Sequence, residues 1–98
     1  MKKIDLDAIQ SELRNIQGWI YSNGYIEKKF VFENFKDALM VMVRIGFEAE
    51  LMNHHPDWSN VYNNLNIRLR THAADGITVN DLSLAKKIEE IVSSMNKH

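Results

Sequence analysis

The 98-residue chain contains no cysteine, one proline and four glycines. Without cysteine it can form neither disulfide bonds nor thiolate metal sites, and with so little proline and glycine it has no flexible linker rich in these residues. No apolar run approaches the roughly 20 residues that cross a bilayer. No apolar stretch typical of a secretory signal follows the basic residues Lys2 and Lys3. We therefore expect a cytoplasmic protein.

An excess of charge of one sign is also lacking, because 12 basic and 13 acidic residues give a net charge of −1. This balance argues against a nucleic-acid binder driven by phosphate attraction and against a basic helix that lies on a membrane surface. The hydrophobic content of 45% is ordinary for a globular protein. A chain this short builds only a small core, so we expect one domain over residues 1–98 and self-association.

Apolar residues at helical spacing predict three helices. The first has Asp5 as its N-cap and ends at Gly18. The second starts at Asn34, where Asp37 completes an imperfect capping box, and it ends near residues 52–53. The apolar positions are Ile4, Leu6, Ile9, Leu13 and Ile16 in the first helix, Phe35, Ala38, Leu39, Met42, Val43, Phe47 and Leu51 in the second, and Leu82, Leu84, Ala85, Ile88, Ile91 and Val92 in the third.

Two runs rich in aromatic and β-branched residues predict a first hairpin. The runs cover residues 19–21 and 25–32, and they flank Asn23-Gly24, a strong hairpin-turn signal. Alternation along the second run separates two faces of the strand. The face that we expect to meet the core carries Ile26, Lys28, Phe30 and Phe32.

A second hairpin is predicted further along the chain. Residues 58–62 form one strand, and residues 65–72 alternate between apolar and polar side chains as a half-buried strand does. The two asparagines at residues 63–64 can supply the positive φ angles of a tight turn. A loop over residues 73–77 then leads to the third helix, which begins within residues 78–81.

The predicted element order is α-β-β-α-β-β-α. Because both strand pairs are hairpins, we expect an α+β fold with a four-stranded antiparallel sheet and helices packed on one face. The other face of the sheet carries polar side chains and is expected to be open to a ligand or a partner subunit.

Three histidines are the candidate functional residues of this chain. His54 and His55 precede Pro56, the only proline, and His72 follows at the end of the fourth predicted strand. Histidine is the side chain that ordinarily changes its charge near neutral pH, and the C-terminal end of a helix favours an imidazolium. Glu50 lies four residues before His54, within reach of a helical side-chain pair. Imidazoles in unlike surroundings suit a reaction that needs both a proton donor and a proton acceptor.

Other interpretations of these residues remain open at this point. The histidines are also compatible with ordinary polar roles, or with a three-histidine zinc site, although adjacent residues rarely direct both rings at one ion. Asp81 lies three residues after Thr78, the spacing of a helix cap. Trp58 suits packing, and Arg68 and Arg70 suit a solvated strand face or contact with an anionic or polar partner.

A longer pattern surrounds the histidines. It consists of Glu50, His54, His55, Pro56, Trp58, Val61, Tyr62, Asn63, Thr71, His72, Gly76, Thr78, Asp81, Leu84 and Ala85. This pattern resembles that of the pterin-4a-carbinolamine dehydratase family, and the resemblance covers nearly the whole chain. Two departures are visible: Asn53 stands where many members have aspartate, and residues 73–76 replace a loop that often has two consecutive glycines.

The resemblance implies a hydro-lyase that dehydrates a 4a-hydroxytetrahydropterin to the quinonoid dihydropterin, with no metal and no organic cofactor. An aromatic amino acid hydroxylase leaves this substrate after each turnover, so a functional link to such an enzyme in tetrahydropterin recycling is implied, together with a homodimer or homotetramer. The alternative is a non-catalytic dimerisation or assembly cofactor. It would bind a partner protein through the second helix, with Met40 and Met42 as adaptable apolar contacts.

The resemblance also implies which residues form the site. His54, His55 and His72 are the expected catalytic residues, and either role, acid or base, is open to each of them. Glu50, Trp58 and Asp81 are expected to support them. The expected substrate-binding residues are Asn53, His54, His55, Arg70, Thr71, His72 and Ala73.

Overall fold

The computed structural model describes residues 2–95, and it confirms the predicted order of helices and strands. None of the helices in this part of the chain is long and apolar enough to cross a membrane. The elements are α1 (Leu6–Leu13), β1 (Ile20–Ser22), β2 (Tyr25–Val31), α2 (Phe35–Met52), β3 (Asp57–Val61), β4 (Asn64–Leu69), a short 3-10 helix (His72–Ala74) and α3 (Val79–Met95).

The four strands form one antiparallel sheet in the order β1-β2-β4-β3. The central pairing places Ile26 opposite Leu69, and the outer pairing places Trp58 opposite Ile67. One sheet face is buried against the three helices, while the other carries the polar side chains of alternate positions, as expected. The core consists chiefly of Ile9 and Leu13 from α1, Ile26, Phe30, Leu65, Ile67 and Leu69 from the sheet, Ala38, Val41, Ile45 and Ala49 from α2, and Leu82, Leu84, Ala85, Ile88 and Ile91 from α3.

The first helix begins as predicted but ends earlier. Asp5 caps it by accepting a hydrogen bond from the Ala8 amide at 2.9 Å. The helix ends at Leu13 rather than Gly18, because the amides of Asn15 and Ile16 bond three residues back and tighten the last turn. Gly18, at φ 92°, lies in the connection to β1.

Both hairpin turns have two residues, but only the first uses the predicted ones. Asn23 and Gly24 have φ angles of 53° and 84°, as a tight hairpin turn requires. The expectation that the asparagines at 63–64 supply positive φ angles is wrong, because Asn64 pairs with Val61 in the sheet and Tyr62 has the positive φ of 53°.

The side of α2 that faces the core also differs from the predicted stripe. Of that stripe only Ala38 is fully buried, and Met42 packs partly against the core. The helix has two apolar sides, and the sheet packs against the one with smaller and β-branched residues. We call the exposed apolar side the outer stripe, which consists of Phe35, Leu39, Val43, Phe47 and Leu51.

Candidate active site

The end of α2 determines where the two adjacent histidines lie. Asn53 adopts the left-handed conformation, with φ 52° and ψ 43°, and its amide bonds to the carbonyl of Glu50 at 3.1 Å. The His54 amide donates to the carbonyl of Ala49 at 3.0 Å. Together these two bonds form a Schellman motif. The motif turns the chain back towards the protein, so His54 is buried instead of continuing the helix.

His54 is paired with Asp81 in the protein interior. Its Nε2 lies 2.6 Å from Oδ1 of Asp81, and the two residues are 8% and 0% exposed. Oδ2 of Asp81 accepts hydrogen bonds from the Thr78 amide and from Oγ1 of Thr71, each at 2.8 Å. Two donors and the His54 imidazole, which donates to an ionised carboxyl group, therefore surround a fully buried carboxyl group. This is the kind of compensation that a buried charge requires.

Thr71 and Thr78 extend this arrangement into a chain of hydrogen bonds. Their Oγ1 atoms lie 2.7 Å apart. Because the single hydroxyl proton of Thr71 is donated to Asp81, Thr71 must accept from Thr78. The expected capping role of Asp81 is present as well, since its carboxyl group reaches back to the amide of Thr78, the residue directly before α3. One carboxyl group therefore starts α3, orients His54 and holds the residue before His72.

The predicted pair between Glu50 and His54 is wrong. Glu50 pairs instead with His55, whose Nε2 lies 2.7 Å from Oε1 of the glutamate. Reach between residues four apart holds only while the chain stays helical, and the left-handed Asn53 ends the helix before His54. The side chains of His55 and Glu50 are 59% and 77% exposed, so this second imidazole–carboxyl pair lies at the surface.

His72 lies beyond the sheet rather than at the end of a strand as predicted. β4 ends at Leu69, and His72 begins the 3-10 helix, its carbonyl accepting from the Asp75 amide at 3.1 Å. Its side chain is exposed. Its ring meets that of Tyr25 with the centroids 6.4 Å apart and the planes at 75°.

The other expected site residues have varied surroundings. Arg70 forms an ion pair with Asp75 and donates to the Gly24 carbonyl at 3.3 Å. Ala73 lies exposed in the 3-10 helix. Trp58 is partly buried and packs against the core, as its packing interpretation predicted.

These contacts bring the two histidine segments of the chain together. Asp81 links His54 to Thr71, the neighbour of His72, whereas His55 and His72 are exposed and contact Glu50 and Tyr25 respectively. Within residues 2–95, no group of three or more histidine, aspartate or glutamate side chains is placed to hold a metal ion.

Two contributors to the site were missed in the sequence. The spacing of Thr78 and Asp81 indicated a cap, but the hydroxyl bond to Thr71 depends on tertiary structure. Tyr25 alternates with the core-facing Ile26 and so lies on the open sheet face, but it was not among the expected site residues. Its contact with His72 could have been inferred only from the pairing of β2 with β4.

Curated relatives of this chain belong to one family. A curated relative from Christiangramia forsetii, provisionally named pterin-4-alpha-carbinolamine dehydratase, is 51% identical over 96 residues, covering 98% of this chain and 99% of the relative. One from Aquifex aeolicus with the same provisional name is 37% identical and covers 100% of this chain and 99% of the relative.

A solved structure is also similar to this fold. It is described as a transcriptional coactivator/pterin dehydratase from Brucella melitensis, and it has a TM-score of 0.91 and 30% identity, covering 93% of this chain and 99% of the other. The family profile described as Pterin 4 alpha carbinolamine dehydratase matches residues 2–91. The chain therefore belongs to the pterin-4a-carbinolamine dehydratase family.

Proposed function

We propose that this protein dehydrates a 4a-hydroxytetrahydropterin to the quinonoid dihydropterin, with histidines as proton donors and acceptors, as a step of tetrahydropterin recycling. Family membership supports the reaction class. The observation that carries the proposal is the buried Asp81 carboxyl group, which ties His54 to the segment of His72. A protein that only bound a partner would have no need of three histidines in these two segments.

The reaction itself defines what the side chains must do. The bond between C4a and the hydroxyl oxygen breaks, and a proton added to that oxygen lets it leave as water. A ring nitrogen loses its proton and uses the freed electron pair to form a double bond to C4a. One donor and one acceptor are therefore required, and each positioned proton transfer contributes roughly 10²–10⁴-fold to the rate.

His54 is suited to one of these transfers because its Nε2 atom is hydrogen-bonded to Asp81, which fixes the ring. An ionised carboxylate only accepts hydrogen bonds, so with Asp81 ionised the Nε2 atom of His54 carries a proton and donates a hydrogen bond. Nδ1 is then the nitrogen that exchanges a proton with the substrate. In our scheme one member of the pair His54 and His55 protonates the departing oxygen. His72, or the other member, accepts the ring proton.

The test is a dehydration assay with carbinolamine that is generated freshly in the cuvette by a hydroxylase. We expect saturable acceleration by the purified protein, and a loss of at least about tenfold in each of His54→Ala, His55→Ala and His72→Ala. His98→Ala is the matched control, because this histidine lies outside the family pattern, and also outside the described residues. Near wild-type turnover in all three site variants would refute the scheme.

The outer stripe of α2 favours a second role, in assembly. Five large apolar side chains lie along one side of an 18-residue helix, and their exposed fractions range from 44% for Phe35 to 81% for Leu51. A continuous apolar surface of this kind is typical of an interface. We propose that the outer stripe packs against a second copy of the chain in a homodimer or homotetramer. The alternative, a protein-binding cofactor, would use α2 for a different partner, with the exposed Met40 as a contact. Met42, the other expected contact, packs partly against the core.

A further inference from the structure

The ring of Tyr25 contacts a row of cationic and imidazole side chains beside the candidate site. We infer that Tyr25 is a positioning residue that holds the imidazole of His72 in the orientation needed for proton transfer. The catalytic part of this inference rests on the proposed function, whereas the geometric part does not.

The pairing of β2 with β4 explains how this contact arises. Ile26 pairs with Leu69 and Glu27 pairs with Arg68, so Tyr25 lies opposite Arg70 at the end of the ladder. Residues two apart on a strand point to the same face. Arg68 is therefore a diagonal neighbour of Tyr25, a separation that aromatic and long side chains can bridge. His72, at the start of the 3-10 helix just past β4, meets the same ring.

Arg68 holds the tyrosine ring from one side. Its guanidinium carbon lies 3.7 Å from the ring centroid, a close cation–π contact. The guanidinium is itself fixed by Glu27 at 3.4 Å and by Asp57 at 3.6 Å. These contacts come from three neighbouring strands, so the tyrosine ring has little freedom to turn.

Arg70 borders the ring more loosely. Its guanidinium carbon is 5.8 Å from the ring centroid, and it is anchored by Asp75 and the Gly24 carbonyl. The two arginines thus border the Tyr25 ring on the sheet, and the ring also makes an aromatic contact with His72.

His72 needs such a support more than the other two histidines do. Carboxyl groups hold the rings of His54 and His55. The exposed ring of His72 instead packs edge to face against Tyr25. Edge-to-face packing is directional, so it can orient an imidazole without occupying either nitrogen. Both nitrogens of His72 then remain free for proton exchange.

The test compares Tyr25→Leu with Tyr25→Phe. Removing the ring in Tyr25→Leu should lower kcat about tenfold while KM changes by less than about threefold, because a misplaced acceptor slows the chemical step more than it weakens binding. Tyr25→Phe keeps the ring and should restore kcat to within about twofold of the wild type. Tyr21→Leu is the matched control: Tyr21 pairs with the buried Ile26, so it lies on the opposite sheet face from Tyr25.

A spectroscopic readout separates positioning from general damage. In protein labelled at histidine, the ring resonances of His72, assigned through His72→Gln, should shift in Tyr25→Leu and stay in place in Tyr25→Phe, while those of His54 stay in place in both. If Tyr25→Leu does not fold, Arg68→Gln uncovers the tyrosine ring and must shift the same His72 resonances.

Either of two results would overturn the inference. The first is unchanged His72 resonances in Tyr25→Leu, or in Arg68→Gln if that variant is needed. The second is a loss of kcat in Tyr25→Phe as large as that in Tyr25→Leu. A wild-type protein without dehydratase activity would instead defeat the proposed function. The resonances would then still decide whether Tyr25 orients His72.

Discussion

Nε2 of His54 lies 2.6 Å from Oδ1 of Asp81, and both side chains are buried. In Asp81→Asn the charge is lost and the amide can no longer accept from all three donors. We expect the free energy of unfolding to fall by about 1.5–3 kcal/mol and kcat to fall at least about tenfold. Urea denaturation and the dehydration assay measure the two effects. Asp5→Asn is the control, because asparagine is an equally good N-cap for α1. Wild-type stability and turnover in Asp81→Asn would contradict the role given to this carboxyl group.

The exposed pair of Glu50 and His55 should contribute less to the free energy of unfolding than the buried pair of His54 and Asp81. Its side chains are 77% and 59% exposed, and surface ion pairs contribute little to folding. Glu50→Gln should therefore change the free energy of unfolding by less than about 0.5–1 kcal/mol, as urea denaturation would show. With stability so little changed, any change in kcat in this variant reports on His55 rather than on folding. A loss of stability as large as that in Asp81→Asn would instead mean that the pair is structural.

Asn53 tests whether the turn after α2 is needed to place His54. Its left-handed backbone costs an ordinary residue about 1–2 kcal/mol, while glycine adopts it freely and asparagine tolerates it. We expect Asn53→Gly to keep wild-type stability and Asn53→Ala to lose about 1 kcal/mol, measured by chemical denaturation. Equal stability of the two variants would show that this conformation is unimportant. Asn53→Gly also tests the expected substrate contact, because a rise in KM at unchanged stability would assign the side chain to binding.

The outer stripe predicts the assembly of the protein. Val43→Glu and Phe47→Glu each place a charge on the exposed apolar side of α2, at positions that are 50% and 69% exposed. Light scattering should show a smaller particle for both variants than for the wild type, because a buried unpaired charge opposes association. Val79→Glu, at an exposed position of α3, should leave the particle size unchanged. If all three variants match the wild type, the outer stripe is not an interface between copies.

Much of the fold was predictable because its signals are local. Asp5 and Asn34 cap their helices as expected, and the Asn23-Gly24 turn pairs β1 with β2. One error, the choice of which side of α2 faces the core, occurred where tertiary packing decided between local alternatives. Val41 and Ile45 face the core in place of the predicted stripe, because the two apolar sides of α2 are not distinguishable from spacing alone.

Candidate site residues could be named from the sequence, whereas their contacts could not. The family pattern identified His54 and Asp81, yet their pairing crosses 27 positions of the chain and depends on how α2 and α3 pack together. The partner of Glu50 was predicted wrongly for a local reason, the left-handed residue at position 53. The contact of Tyr25 with His72 needed the strand register, which no short-range pattern contains.

The two oxygens of Asp81 couple the folding of α3 to the orientation of His54. The amide of Thr78 and the imidazole of His54 depend on the same carboxyl group, so a molecule whose third helix has not yet begun to wind also has a disoriented histidine. Local unfolding at the start of α3 would therefore release the imidazole of His54 as well.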